Sequence, residues 1–253
     1  MNIDTEKATD LIIKRKPRII VFGASVFLFP HPVKSLAKVA HEVGAHAAYD
    51  SSHVLGLIAG KEFQDPIREG ATMLFGSTHK SFFGPQGGIV LADREHGEVI
   101  KKNIYPAFVD NAHWSRIAAL TLALAEMVEF GKTYARQVVK NAQTLAKALA
   151  DSGLPVACPK LGFTRSHQVL LDYSSFQKGR AIAKKLEKAN IIADCRVRLG
   201  VCELTRRGMK QKEMLKVAEF ITRALTGQEE PKRIKKEVEK FTSDFQEVQL
   251  RFK

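Results

Sequence analysis

Apolar and polar positions alternate along the first 110 residues in the manner of an α/β protein. Residues 18–23 (RIIVFG) form a short apolar run bounded by Pro17 and Gly23, which predicts a buried strand. Residues 33–43 (VKSLAKVAHEV) place Val33, Leu36, Ala37, Ala40 and Val43 on one helical face. Gly44 follows where a left-handed residue commonly ends a helix. Residues 45–50 (AHAAYD) read as a second strand, so strand, helix and strand together predict a right-handed crossover in a parallel sheet. Residues 72–75 and 88–92 (GIVLA) are two further strands, giving a sheet of about four. Between these two lies GSTHKSFFGPQGG, residues 76–88, rich in glycine and hydroxyl groups. Connections of this kind usually carry the chemistry of an α/β protein.

The pattern changes after residue 110. Residues 117–130 predict a strongly apolar helix that Gly131 is expected to break, and residues 134–149 a long helix closed by Asp151-Ser152-Gly153. Strands are expected at 155–158, 168–173 and 196–201, with helices at 179–189 and 210–225. That order suits a compact α+β domain with its sheet on one side. Gly227 to Pro231 reads as a hinge before a charged amphipathic segment ending near Phe252. The expected organisation is therefore a first domain over 1–130, a small α+β domain over 131–227 and a charged tail over 228–253. No internal repeat or low-complexity stretch interrupts it.

Charge adds one feature. The 253 residues carry a net charge of +13, yet residues 1–130 are balanced and residues 131–227 hold 19 basic against 7 acidic residues. A localised anion-facing surface follows, not an even basic coat. Aromatic residues are few in the basic segment and no RNP, KH or zinc-knuckle pattern occurs there, so nucleic acid ranks below a small anionic ligand. No apolar stretch reaches membrane-spanning length, and the first ten residues are polar and acidic where a secretory signal would be basic and then apolar. Cys158, Cys195 and Cys202 show no CxxC spacing. Neither a disulfide framework nor a metal site is expected, and a cytoplasmic location is.

Three residues stand in order as candidate chemistry: Asp50 at the end of a strand, His53 three residues on, and Lys80 inside the polar loop. An acid at the carboxyl end of a buried strand lies where open α/β sheets bind ligands. Taken alone, Asp50 is better read as a helix N-cap and Lys80 as a solvated loop lysine. The run around Lys80 weakens that reading. Thr78, His79 and Gly84-Pro85-Gln86-Gly87-Gly88 crowd small and hydrogen-bonding groups about one amine, limiting its solvation and leaving it nucleophilic toward a carbonyl. A Schiff-base lysine with a carboxylate to keep a ring nitrogen protonated is what pyridoxal 5′-phosphate requires.

The motifs then become specific. The run from Asp50 to Gly60 (DSSHVLGLIAG), Ser77-Thr78-His79-Lys80, Gly84 to Gly88, Arg198-Leu199-Gly200 and Leu204-Thr205-Arg206-Arg207-Gly208 resemble, in register, those of serine hydroxymethyltransferase, in its archaeal-like branch. The resemblance extends from Lys16 to about Leu225. It implies the fold-type-I architecture of PLP-dependent transferases, here an incomplete large domain followed by a small α+β C-terminal domain. It implies that Lys80 forms the internal Schiff base, Asp50 pairs with the pyridine nitrogen and His53 sits against the phenolic oxygen. Thr78 and His79 would line the cofactor and govern proton traffic, with Ser25 near it. Arg198 would clamp the substrate carboxylate, and His167 aligns with a histidine of the substrate region. Arg206 and Arg207 are better read as structural or solvated.

The implied activity is interconversion of serine and glycine with one-carbon transfer to a reduced pterin. Its alternatives are an inactive fragment or subunit that needs a separate N-terminal half, and retro-aldol cleavage of 3-hydroxy amino acids. Partners implied are the amino acid, the pterin, and either a second copy in a homodimer or a chain carrying the N-terminal half. Three departures mark a divergent branch: Gln86 where the family has arginine, Val201-Cys202 where it has Thr-Pro, and Ala107 where it has glycine. They suggest a modified pterin in place of folate. The family's main phosphate-binding loop has no counterpart ahead of Arg18, so residues 1–130 read as the second half of a PLP-binding domain, with residues 19–22 on an open sheet edge.

Overall fold

The computed structural model describes residues 2–173, 175–227 and 229–252; Gln228, within the expected hinge, lies outside the described residues, as do both chain ends and Ser174. The chain divides into two compact units between Lys132 and Thr133.

The first unit opens with helix α1 (Thr5–Arg15), capped by Asp4, whose side chain accepts from the Lys7 amide. Strand β1 (Ile19–Phe22), helix α2 (Val33–Glu42) and strand β2 (His46–Asp50) follow at the expected places. The amphipathic stripe of α2 buries Val33, Leu36, Ala37 and Ala40, and Gly44 leaves the helix at φ 79°. Helix α3 (Leu55–Ala59), strand β3 (Met73–Ser77) and strand β4 (Gly88–Ala92) complete one sheet of order β1-β2-β3-β4. The first three strands are parallel, so their carboxyl ends share one edge of the sheet, and β4 returns antiparallel to β3. β1 is an edge strand on which Ile19 and Val21 expose about half their surface. The core is built on Phe22, Leu36, Tyr49, Leu57 and Leu74. Burial pushes the Tyr49 phenol far up from its ordinary range, and the charges of Glu69 and Asp50 add to the shift.

Helix α4 (Arg94–Ile104) has no counterpart in the expected elements. It is polar, contains Gly97 and buries no residue, so no apolar stripe announces it; Asp93 caps it by accepting from the His96 amide. Helix α5 (Trp114–Asp151) corrects a second expectation, because Gly131 does not break it. A helical glycine costs about 1 kcal/mol relative to alanine, which long flanks of good helix formers outweigh. The Met127 thioether fills the space where a Gly131 side chain would lie.

In the second unit, the expected strand at 155–158 reduces to one bridge between Val156 and Leu171. Pro155 cannot donate to a ladder, and Cys158 turns the chain at φ 57° into a 3₁₀ turn at Pro159–Leu161. Strand β5 (Gln168–Leu170) pairs antiparallel with β6 (Arg198–Gly200). Helices α6 (Phe176–Glu187), α7 (Cys202–Arg206), α8 (Gln211–Thr226) and α9 (Pro231–Ser243) supply the rest. The buried Asn141 amide of α5 donates to Thr205 Oγ1 and to the Met209 carbonyl, each at 2.9 Å, and accepts from Gln137 at 2.7 Å. This satisfied amide ties α5 to the turn between α7 and α8. α9 is held by Arg223, which meets Glu229 at 2.7 Å and Glu237 at 2.8 Å. Both carboxyls are held below their ordinary range by hydrogen bonds from that guanidinium. No helix among the described residues is long and apolar enough to cross a membrane.

Candidate active site

Asp50 is the last residue of β2 and pairs across the sheet with Phe75 of β3. Lys80 follows β3 by three residues, so the carboxylate and the amine leave adjacent parallel strands at the same edge. Asp50 does not cap a helix: α3 begins at Leu55, and Asp50 Oδ1 instead accepts from the Ser52 amide at 2.9 Å. That local bond closes a tight turn on which Ser51 is fully buried and His53 half-buried. Ser51 donates from both its amide (2.8 Å) and its hydroxyl (2.9 Å) to the Phe75 carbonyl, locking the end of β2 to β3.

Glycines let these elements close on one another. A Cβ on Gly23, just past β1, would lie 2.6 Å from Asp50 Cβ; a Cβ on Gly76 would overlap Ser51 Oγ. Ser25, two residues beyond Gly23, is exposed on the same connection.

The Lys80 loop folds on itself. Buried Thr78 donates its hydroxyl to the Pro85 carbonyl at 2.6 Å and its amide to the Gly87 carbonyl at 3.0 Å. The Gly84 amide returns to the Thr78 carbonyl at 2.7 Å, and the Gly87 amide donates to Nδ1 of exposed His79 at 3.3 Å. From the other side, Gly56 of α3 donates its amide to the buried Ser81 hydroxyl at 3.1 Å. The loop is thus pinned at Thr78, His79, Ser81 and Gly84, while the Lys80 side chain is exposed.

The remaining two candidates belong to the second unit. His167 is buried and precedes β5; its carbonyl accepts from the Val201 amide, and its ring lies beside Gly200 of β6. Arg198 begins β6 and is ion-paired with Asp194 at 2.9 Å. Asp194 Oδ1 also accepts from the Arg198 and Arg196 amides, each at 3.0 Å. Sequence reasoning missed Asp194, which fixes the guanidinium by side chain and backbone at once. Its four-residue spacing from Arg198 is informative in a helix and silent in an irregular loop. Nearby, burial pushes the Cys202 thiol up to about 12, offset in part by a hydrogen bond with the buried Tyr134 phenol.

The donor set fits a pyridoxal cofactor: one amine on a pinned loop, one carboxylate on the neighbouring strand, and glycines where the strand ends close on one another. A crystal structure of L-threonine transaldolase from Pseudomonas fluorescens in its internal aldimine state superposes with a TM-score of 0.93 at 30% identity, covering 99% of this chain and 60% of that one. The fold is the α/β fold of the fold-type-I PLP-dependent transferases. The serine hydroxymethyltransferase family matches residues 1–221. Serine hydroxymethyltransferases of Methanocella arvoryzae, Methanocaldococcus jannaschii and Pyrococcus furiosus are 48%, 45% and 45% identical to it, over 100%, 100% and 99% of this chain. This chain belongs to the serine hydroxymethyltransferase family, and it spans 63–64% of the length of those curated relatives.

Proposed function

We propose that this chain carries the Schiff-base lysine and the ring-nitrogen carboxylate of a PLP-dependent enzyme that interconverts serine and glycine, passing one carbon to a reduced pterin. The observation that supports it most is the placement of Asp50 and Lys80 at one edge of adjacent parallel strands, within the family's motifs. When bound, the cofactor supplies an electron sink for a carbanion at the substrate Cα. Lys80 would hold it, Asp50 would keep a proton on its ring nitrogen, and His53 would face its phenolic oxygen. Thr78 and His79 would line the lysine's surroundings and Ser25 would add a hydroxyl. Thr78 gives its own hydroxyl to Pro85, so it would act by shaping the loop, whereas the exposed His79 imidazole would move protons.

In the second unit, Arg198 would take an amino-acid carboxylate. A planar guanidinium offers a carboxylate two parallel N–H donors, and Asp194 holds that plane in place. His167 would flank the same strand pair. We read residues 1–130 as the second half of the PLP-binding domain, residues 131–227 as the small domain and residues 228–253 as a charged appendage. Activity is proposed for the chain together with the remainder of the family's length, on the same polypeptide or on a second one, in a cytoplasmic homodimer or two-chain complex. The pterin in this reading is a modified one, in keeping with Gln86, Ala107 and Cys202.

A second reading, retro-aldol cleavage of 3-hydroxy amino acids, has in its favour the structural likeness to a protein named as a threonine transaldolase. One experiment separates the two. The chain, alone and mixed with a polypeptide covering the rest of the family's length, is given PLP and either serine with a reduced pterin or threonine alone. Pterin-dependent glycine formation supports the first reading, and pterin-independent aldehyde release supports the second. Neither product from any mixture would support an inactive fragment.

A further inference from the structure

The loop that carries Lys80 is clamped from outside by a residue with no place in the motifs above. Arg116, in the first turn of α5, donates Nε to the Gln86 carbonyl at 3.1 Å and Nη2 to the Gly88 carbonyl at 2.8 Å. These carbonyls flank Gly87, whose φ of 146° is open to glycine and strained for other residues. A Cβ at Gly87 would overlap the Arg116 guanidinium, which turns its Nε–Nη2 edge toward that glycine and reaches one carbonyl on either side. A lysine would bring its donors on a single nitrogen, whereas the rigid planar fork sets two nitrogens, one toward each carbonyl.

We infer that Arg116 is a positioning residue for Lys80. Its two bonds fix Gln86, Gly87 and Gly88, and that segment is bonded in turn to both residues preceding the lysine. Gly87 accepts from the Thr78 amide and donates to His79, and Pro85 accepts from the Thr78 hydroxyl. Displacing the guanidinium therefore loosens a tie two hydrogen bonds away from the reactive amine. The consequence for reactivity rests on the function proposed above; the anchoring itself does not.

The test uses the 253-residue chain and four variants: Arg116→Gln, Arg116→Lys, Gly87→Ala and the Arg116→Gln/Gly87→Ala pair. Amide hydrogen exchange without cofactor reads the loop. In Arg116→Gln, the Thr78, Gly84 and Gly87 amides should exchange about tenfold faster, with the melting temperature and circular dichroism of wild type. Gly87→Ala, which adds backbone strain to the lost clamp, should be at least as fast, and the double variant should be no faster than Gly87→Ala. With PLP added, borohydride-fixed pyridoxyl on Lys80 should accumulate about tenfold more slowly in Arg116→Gln, with partial recovery in Arg116→Lys. A merely structural role would lower the melting temperature and leave the rate of the folded fraction unchanged. Unaltered exchange in folded Arg116→Gln, or additive effects in the double variant, would overturn the clamp. If wild type takes no pyridoxyl group at Lys80, the proposed function fails and the exchange result still decides whether Arg116 anchors the loop.

Discussion

Gly56 is the point where the Asp50 run and the Lys80 loop touch, so Gly56→Ala probes both stability and site geometry. An ideal Cβ there would lie 2.5 Å from the Ser81 carbonyl carbon and 2.8 Å from the Phe82 nitrogen. Ordinary contacts between such atoms begin near 3.5 Å, so the backbone at Ser81 must retreat by about 1 Å. The neighbours cannot give easily, because Ser81 is fully buried and its hydroxyl accepts from the Gly56 amide. Overpacking of this kind costs about 1–3 kcal/mol, which for a domain of this size lowers the melting temperature by roughly 3–12 °C. The displaced residue is adjacent to Lys80, and a 1 Å misplacement of a reactive group can cost about 10²-fold in rate. Thermal melting reads the first effect and the rate of borohydride-fixed pyridoxyl formation on Lys80 reads the second. Gly97→Ala is the control: its Cβ meets nothing within 4 Å inside a helix, so it should stabilise by up to about 1 kcal/mol. A Gly56→Ala protein that melts within 1 °C of wild type and reacts within twofold would refute the argument from close approach.

Other parts of the molecule yield separate expectations. Burial lowers the His31 pKa to about 4, and its Nδ1 is buried without a hydrogen-bond partner among the described residues. The unfolded chain therefore binds the extra proton first: stability contributed above pH 6.5 is lost as pH falls from about 6.5 toward about 4. Denaturant titrations should show that slope shrink in His31→Phe, whose ring can keep the stack on Phe27. Cys202, with its thiol pushed up to about 12, should react with a thiol reagent at pH 8 far more slowly than Cys158 or Cys195; equal labelling by mass spectrometry would contradict the buried Tyr134 contact. Asn141→Leu removes the donor to Thr205 and Met209 and should cost about 1–3 kcal/mol by denaturant unfolding, since it strands buried partners; a neutral result would mean that water replaces the amide.

What the sequence disclosed and withheld divides along physical lines. The runs at 33–43 and 45–50 were legible because burial against the core demands apolar residues there; those at 18–23 and 88–92 were legible as short β-branched apolar runs, although β1 buries only Phe22 and β4 no residue. Helices α1 and α4 were not, because they bury one residue and none respectively, and a solvated helix leaves no stripe. Gly131 misled because the propensity cost of one glycine is small within a 38-residue helix rich in alanine and leucine. Within the candidate site, Asp50 stood out as an acid at a strand end, and Thr78, His79 and Lys80 as chemistry crowded among glycines. Arg116 and Asp194 did not: one acts on backbone carbonyls 28 and 30 residues away, and the other acts within an irregular loop. Neither relation has a period or a motif. Both exist only once the chain is folded.

Lys80 is the amine proposed to take pyridoxal phosphate. The direct measurement is borohydride reduction of the chain with PLP, followed by proteolysis and mass spectrometry of the modified peptide. The pyridoxyl mass should fall on Lys80, in the peptide containing Thr78 and His79, and Lys80→Ala should abolish it while Asp50→Asn weakens binding and spares the position. A pyridoxyl group spread over several surface lysines, or retained in full by Lys80→Ala, would contradict the account.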